Sequence, residues 1–406
     1  MPGNKHRLYL LAASALLVIV ASTLDQMLPL KASAQTLTFP PKPTDPRAPI
    51  GSLPYTITSP GSYYFLGNLD GTSGASGITV DADDVTIDMN GFRMQGVVGS
   101  LDGITTTTTP RNITIVNGAI GGWGQSGVDL VAAHTISLDR LKSTGNAVSG
   151  FRLGSEATLT KCTAEQNGNI GFFFIDDANS VLASDCIAVS NTGDGFHSVS
   201  TGSVPEPAKA GSFTRCIAKG NTGDGYELAG YELDGCAASE NTLFGFVLIA
   251  SEAQGCTARS NQQGFHASVG TQIRESSTKN NLVGIAARID DSTLIDSSLY
   301  ETRGNGATVI MGSGSTVRGC HVVQRNSGNS ATIAVASGAT NCLVAGNEIR
   351  GNGLSHAVYL NPTVSACTVI QNRIEFTIRN DAGLSNHVAP TESATTSVNP
   401  WANLQF

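Results

Sequence analysis

The chain has 406 residues, of which 40% are apolar, 14% are charged and 46 are glycine, with a formal net charge of −8. That length holds one large or two ordinary domains with a sizeable core, and the mixture suits strands joined by tight turns better than helices. The acidic balance, with no basic stripe interleaved with aromatics, argues against a nucleic-acid partner and permits neutral or cationic ones.

Lys5 and Arg7, the apolar stretch over 8–21 and the small-x-small run Ala32-Ser33-Ala34 predict a signal peptide over 1–34. The apolar run is too short and wrongly flanked for a membrane span. The expectation is a secreted or periplasmic mature chain starting near Gln35, with no membrane span in it. Residues 35–50, with Pro40, Pro41, Pro43, Pro46 and Pro49, read as a Pro-rich linker. A single domain is expected over 51–388, and the Ser/Thr-rich 389–406 reads as a C-terminal tail.

The domain is organised by a repeat, Cys-x-Ala-x-x-Asn-x-x-x-Gly-Phe. Cys162, Ala164, Asn167, Gly171 and Phe172 fit it, as do Cys186, Ala188, Asn191, Gly195 and Phe196. Cys216, Ala218, Asn221, Gly225 and Tyr226 follow, then Cys236, Ala238, Asn241, Gly245 and Phe246. The unit at Cys256, Ala258, Asn261, Gly264 and Phe265 is one residue short, and weaker copies hold Asn146 and Asn281. From Asn146 to Asn281 the intervals are 21, 24, 30, 20, 20 and 20 residues. A period in that range, without helical periodicity, is one coil of a β-solenoid.

Period-2 alternation turns each Cys and the Ala after it inward, and likewise each Phe and the residue two beyond. A mostly apolar position three residues before each Cys breaks the alternation and marks a bend, giving about three short strands per coil. The Asn is expected in a turn, left-handed and hydrogen-bonded to the Asn of neighbouring coils, with the Gly supplying positive φ. Asn326, Asn347 and Asn372 are expected to continue that ladder beside Cys320, Cys342 and Cys367. Eight cysteines spaced about once per coil read as buried free thiols, although a bridge between neighbouring coils is sterically open.

These units resemble the right-handed parallel β-helix repeat of pectate-lyase-like proteins and of the bacterial carbohydrate-binding and sugar-hydrolase β-helix family. The segment from Tyr55 to Tyr64 with Gly67-Asn68-Leu69 is similar to the N-terminal cap of secreted bacterial members. The runs Val85-Thr86-Ile87-Asp88-Met89-Asn90-Gly91-Phe92 and Ile113-Thr114-Ile115-Val116-Asn117-Gly118 are similar to their first coils. The resemblance covers roughly 52–385 and implies an all-β, single-stranded, right-handed parallel β-helix, the hand that parallel crossovers favour. It also implies a polysaccharide or cell-surface glycan as partner, lying along one outer face. The chain departs from the enzymes of that group. It has no Gly-His-Gly with a neighbouring Arg-Ile-Lys, no Arg-x-Pro-x-x-Arg and no Asp-Pro-His-Asp, so no enzyme's residues carry over.

Candidate chemistry sits where the repeat is decorated. The turns around Asp194 and Asp224 repeat Asn-Thr-Gly-Asp-Gly, and the alignment places Asp194 beside Asp224 and His197 beside Glu227 on an outward row. That row continues through Phe173 and Arg152 on one side and Val247 and His266 on the other. The longest insertion, 201–210, lies between the two turns. Asp194, Asp224, His197 and Glu227 are therefore the candidate catalytic residues, since neighbouring carboxylates can divide acid and base roles. Gly-Asp-Gly is equally a turn sequence. Asp176-Asp177 and Asp290-Asp291 read as turn residues, and His134, His321, His356 and His387 lack zinc spacing. No nine-residue calcium repeat and no Gly-x-Ser-x-Gly occur. Neither a metal nor a cofactor is expected. Three functional readings stay open: a glycan binder using one outer face, a polysaccharide lyase or glycoside hydrolase at the paired turns, and a non-catalytic structural or adhesive rod. The sequence leaves the oligomeric state unknown.

Overall fold

A computed structural model describes residues 45–175, 180–198, 211–301, 306–325, 331–351, 356–382 and 385–406. The expected signal peptide, most of the expected linker, Asp176-Asp177, Asn326 and the 201–210 insertion lie outside those residues. From Pro46 to Phe406 the chain forms one unit, a right-handed parallel β-helix with no α-helix among the described residues.

Fifteen short strands, from Tyr55–Ile57 to Ile378–Asn380, form one parallel sheet with in-register neighbours. The other two faces merge into a 30-stranded sheet. They merge because Arg111–Gly121 and His134–Thr144 run through the corner between them, so that His134–Thr144 pairs with both Ala157–Thr160 and Thr163–Glu165. The inward rows are those the alternation predicts. Cys162, Ala164, Phe172 and Phe174, and their equivalents in the following coils, are buried, as are Leu159, Ala183, Phe213 and Leu233 before the cysteines. Six aromatic rings from Phe151 to Phe265 stack with centroids 4.8–4.9 Å apart and planes within 11°. That separation is the spacing of hydrogen-bonded strands, ~4.8 Å, so backbone pairing itself sets the column. All eight cysteines are free and buried. Burial lifts the Cys320 thiol to about 11, which keeps it inert.

The asparagines form the expected ladder. Each side-chain Oδ1 from Asn167 to Asn281 accepts both the backbone N–H (3.0–3.1 Å) and the Nδ2 (2.9–3.5 Å) of the Asn in the preceding coil. The second Nδ2 proton goes to a backbone carbonyl, as Asn221 donates to Ala188 at 3.2 Å. Two donors and a doubly accepting oxygen are all an amide has, so the buried side chain is fully satisfied. At the far end the Glu301 carboxylate replaces an Asn, accepting the Asn281 N–H at 2.6 Å and Nδ2 at 2.7 Å. Burial pushes the Glu301 carboxyl up to about 7 against those hydrogen bonds.

Three details of the corners differ from the sequence reading. The left-handed residue is the one before each ladder Asn, as at Gln166 (φ 54), Ser190 (φ 55), Glu240 (φ 60) and Ser260 (φ 57). That residue turns the chain, which frees the Asn to aim its amide inward. The Gly after the turn is needed for room rather than for positive φ: a Cβ on Gly195 would lie 2.6 Å from the Gly225 carbonyl and 2.9 Å from Asn221 Nδ2. Asn347 and Asn372 do not continue the first ladder. They stack one corner earlier, in line with Cys320, where Cys320 N–H donates to Asn347 Oδ1 (2.9 Å) and Asn347 N–H to Asn372 Oδ1 (3.0 Å). This second ladder ends at Asn403, whose Oδ1 accepts the Asn372 N–H at 3.1 Å. Residues 389–406, expected as a tail, thus carry the strands Thr391–Ser393 and Asn403–Gln405, and the latter pairs with Arg373–Ile374.

Replacing Asn221 by Ala orphans the two Asn191 donors and removes the Nδ2 bonds to the Ala188 carbonyl and Asn241 Oδ1, which keeps the backbone N–H of residue 221. At ~1–3 kcal/mol for each buried polar group left alone, Asn221→Ala should lower the unfolding free energy by about 3 kcal/mol or more in urea titrations. Thr222→Ala, at the exposed neighbouring position, should stay within about 0.5 kcal/mol.

Candidate functional site

Strands of the 15-stranded sheet are mostly three residues long with an in-out-in burial pattern, as in Phe172–Phe174 and Phe196–Ser198. Their middle residues therefore make one outward line across successive coils. Pairing in register aligns Asp129 with Arg152, Arg152 with Phe173, Phe173 with His197 and His197 with Glu227. Val247, His266 and Arg288 continue it.

Each of the first four members touches the next. Arg152 Nη1 pairs with Asp129 Oδ2, and its guanidinium lies 5.5 Å from the centroid of the Phe173 ring. Phe173 and the His197 imidazole stack at 6.0 Å with planes 11° apart. His197 Nδ1 then lies 2.9 Å from Glu227 Oε2 and 2.8 Å from Asp194 Oδ2. The imidazole and the two carboxylates are partly open to solvent, with side chains 19% exposed for His197, 17% for Asp194 and 41% for Glu227.

Of the four candidate residues, the structure brings Asp194, His197 and Glu227 together. Asp224 joins them through its backbone, whose N–H donates to Asp194 Oδ1 at 2.7 Å. The Asp224 carboxylate performs the same task one coil further on, accepting the Phe244 N–H at 2.7 Å through Oδ1. Both aspartates thus fasten one turn to the next, and only Asp194 has its second oxygen on the imidazole. The electrostatics follow. Burial pulls His197 down, but its hydrogen bonds to Asp194 and Glu227 outweigh that and raise it to about 9. The imidazole is therefore a cation at neutral pH, held between two carboxylates. Burial raises Asp224 to about 7, with Asp194 and Glu227 adding to the rise and the Phe244 N–H opposing it. His266, beside the Phe244 ring at 5.4 Å, is lowered by burial and then by Arg288.

The remaining candidates sit elsewhere. Asp291 is a left-handed turn residue (φ 47) and Asp290 pairs with Arg288 at 3.5 Å. His356 Nδ1 lies 3.1 Å from Thr377 Oγ1. One cluster escaped the sequence reading: Asp81 accepts Thr107 N–H and Thr107 Oγ1, both at 2.8 Å, and Thr106 Oγ1 at 3.3 Å. The run of threonines at 105–109 was its signal, and it fastens a loop. Among the described residues no helix is long and apolar enough to cross a membrane.

Residues 61–207 match the family model described as a right handed beta helix region. No curated protein matches the chain. Among solved structures it is similar to the A-module of the Azotobacter vinelandii mannuronan C-5 epimerase AlgE4, with 14% identity over 86% of this chain and 91% of that one, at a TM-score of 0.42. It is similar also to the catalytic domain of a GH87 alpha-1,3-glucanase in complex with tetrasaccharides, with 13% identity over 80% of this chain and 64% of that one (TM-score 0.42). A third is the pectate lyase Pel9A, with 13% identity over 65% of this chain and 69% of that one (TM-score 0.32). These are likenesses of coil architecture, and no residue's role is carried over from them.

The charge state of the site sets a pH dependence. The His197 contribution to stability is full below the ordinary histidine value of about 6.5 and is lost as pH rises through about 9. Asp224 and Glu301 favour the folded state while protonated, so their contribution is full below the ordinary carboxylate range of about 4 and fades as pH rises through about 7. Urea midpoints should therefore be higher at about pH 5 than at about pH 9. In a proton NMR titration the His197 ring should shift with a midpoint near 9, and Glu227→Gln should move that midpoint down toward about 6.5.

Proposed function

We propose that the protein is an exported polysaccharide-binding β-helix, which holds a glycan chain along the outward row of its 15-stranded sheet. The single observation behind this reading is the unbroken line Asp129, Arg152, Phe173, His197 and Glu227, in which each side chain contacts the next. The outward edges of the stacked guanidinium, phenyl and imidazole groups form a strip for the C–H faces of sugar rings, and the flanking carboxylates provide acceptors for hydroxyl groups. A line of one group per coil suits a linear polymer better than a compact ligand. The cations of the row already face carboxylates: Arg152 meets Asp129, His197 meets Asp194 and Glu227, and Arg288 meets Asp290. An uncharged glycan therefore fits better than a polyanion. Export through the leader at 1–34 would deliver the row to extracellular glycans.

The lyase or hydrolase reading has less support from this geometry. A general base must be unprotonated and free, whereas His197 is held as a cation between two acceptors. Asp224 has the raised pKa of an acid, but its Oδ1 is engaged by the Phe244 N–H. A structural rod would need no such line of ionic and aromatic groups on one face.

Affinity electrophoresis against neutral and anionic polysaccharides tests the reading. A neutral glycan should retard the protein, and Phe173→Ala should weaken the retardation about tenfold, or about 1.4 kcal/mol. Leu182→Ala, exposed on another face, should change nothing. Absence of retardation by every glycan, or retardation indifferent to Phe173→Ala, counts against the proposal. New reducing or unsaturated ends in the digests would replace it with an enzymatic one.

A further inference from the structure

Three donor atoms of two chemical kinds converge on one space in the outward row. They are a carboxylate oxygen each from Asp194 and Glu227 and a ring nitrogen of His197, all within 4.8 Å of one another. Two of the three separations are shorter still, 2.8 Å from Nδ1 to Asp194 and 2.9 Å from Nδ1 to Glu227. Imidazole nitrogen and carboxylate oxygen bind zinc at ~2.0–2.2 Å, and the ligand atoms of its tetrahedral shell sit about 3.4 Å apart. The two short edges therefore need to open by only about half an ångström to become edges of such a shell.

The scaffold keeps the donors there. Asp194 and His197 flank the start of Phe196–Ser198, and Glu227 is the in-register partner of His197 in the next coil. Asp194 is fastened through its other oxygen by the Asp224 N–H at 2.7 Å, and the Phe173 ring stacks on the imidazole. Two donors on paired strands and a third on a fastened turn, held by such outer contacts, are what a metal centre needs. The partial exposure of all three side chains gives an ion a way in and leaves coordination positions facing solvent.

We propose that Asp194, His197 and Glu227 bind one divalent metal ion of the zinc class, which takes the place of the Nδ1 proton of His197, released to solvent, and leaves further coordination positions open to solvent. The imidazole selects against calcium and magnesium, which take shells of oxygen, and in favour of zinc, cobalt and their neighbours. The cysteine column holds stronger zinc ligands, but every one of those thiols is buried. The site shares His197 and Glu227 with the proposed glycan row but does not rest on that reading, and it is tested without any glycan.

The test is titration of the purified full chain with Co²⁺, followed by displacement with Zn²⁺. One equivalent should bind, with weak visible ligand-field bands and no sulfur charge-transfer absorption. His197→Ala should abolish the bands, and Glu227→Gln, at the most exposed ligand, should weaken binding at least about tenfold. Glu227→His, which supplies another ligand, should retain binding. Far-UV circular dichroism should match the parent for each variant. Binding that is not one to one, that survives both His197→Ala and Glu227→Gln, or that carries sulfur bands would overturn the proposal, as would no binding at all.

Discussion

The buried asparagine ladder is the constraint on which the rest of the structure depends. Apolar burial alone would tolerate many alignments of short, three-residue strands, because a slip by two residues returns the same face to the core. The amide column removes that freedom. Asn221 donates from N and Nδ2 to Asn241 and from Nδ2 to Ala188, while its Oδ1 accepts two bonds from Asn191. Any shift of one coil against the next breaks several of these at once inside a dry core, where an unpaired polar group costs most. The aromatic column follows passively, since rings fixed to paired strands stack at the strand spacing.

The same alignment builds the candidate site. His197 meets Glu227 because their strands pair in register, and it meets Asp194 because the Gly195 turn brings the chain round within three residues. The aspartates repeat at a small scale what the asparagines do in the core, as each carboxylate takes the backbone N–H of the following turn. Structural and chemical roles therefore overlap at Asp194: one oxygen fastens a turn and the other charges an imidazole. The cost of that overlap is visible at Asp224, whose carboxyl is buried beside other acids and held near 7.

Much of this was legible in the sequence, and the limits have physical causes. Repetition of Cys, Ala, Asn, Gly and an aromatic gave the inward rows and the first ladder, because a solenoid demands the same residue at the same place in each coil. The corner occupied by Asn347 and Asn372 was not legible. The step from Cys256 to Asn261 and the step from Ser251 to Cys256 are each five residues, so a Cys-to-Asn spacing of five fits either side of the coil. The left-handed positions were hidden because Gln166, Ser190, Glu240 and Ser260 share no residue type. At the site, repeat alignment paired His197 with Glu227 but could not choose between Asp194 and Asp224, since that choice lies in where each carboxylate's second oxygen points. Glu301 was missed because a lone Glu in place of an Asn carries no repeat signal.

Removal of one complete coil tests the central claim most directly, that the corner ladders fix each coil as an interchangeable unit bearing the site on its outer face. Deleting residues 237–256 takes out one 20-residue period and should leave Asn221 stacked on Asn261. The account predicts a cooperatively folded protein with unchanged β-type circular dichroism per residue and a His197 midpoint still near 9, whereas deletion of half that segment should not fold. A full-period deletion that unfolds the chain, or a half-period deletion that folds equally well, would contradict it.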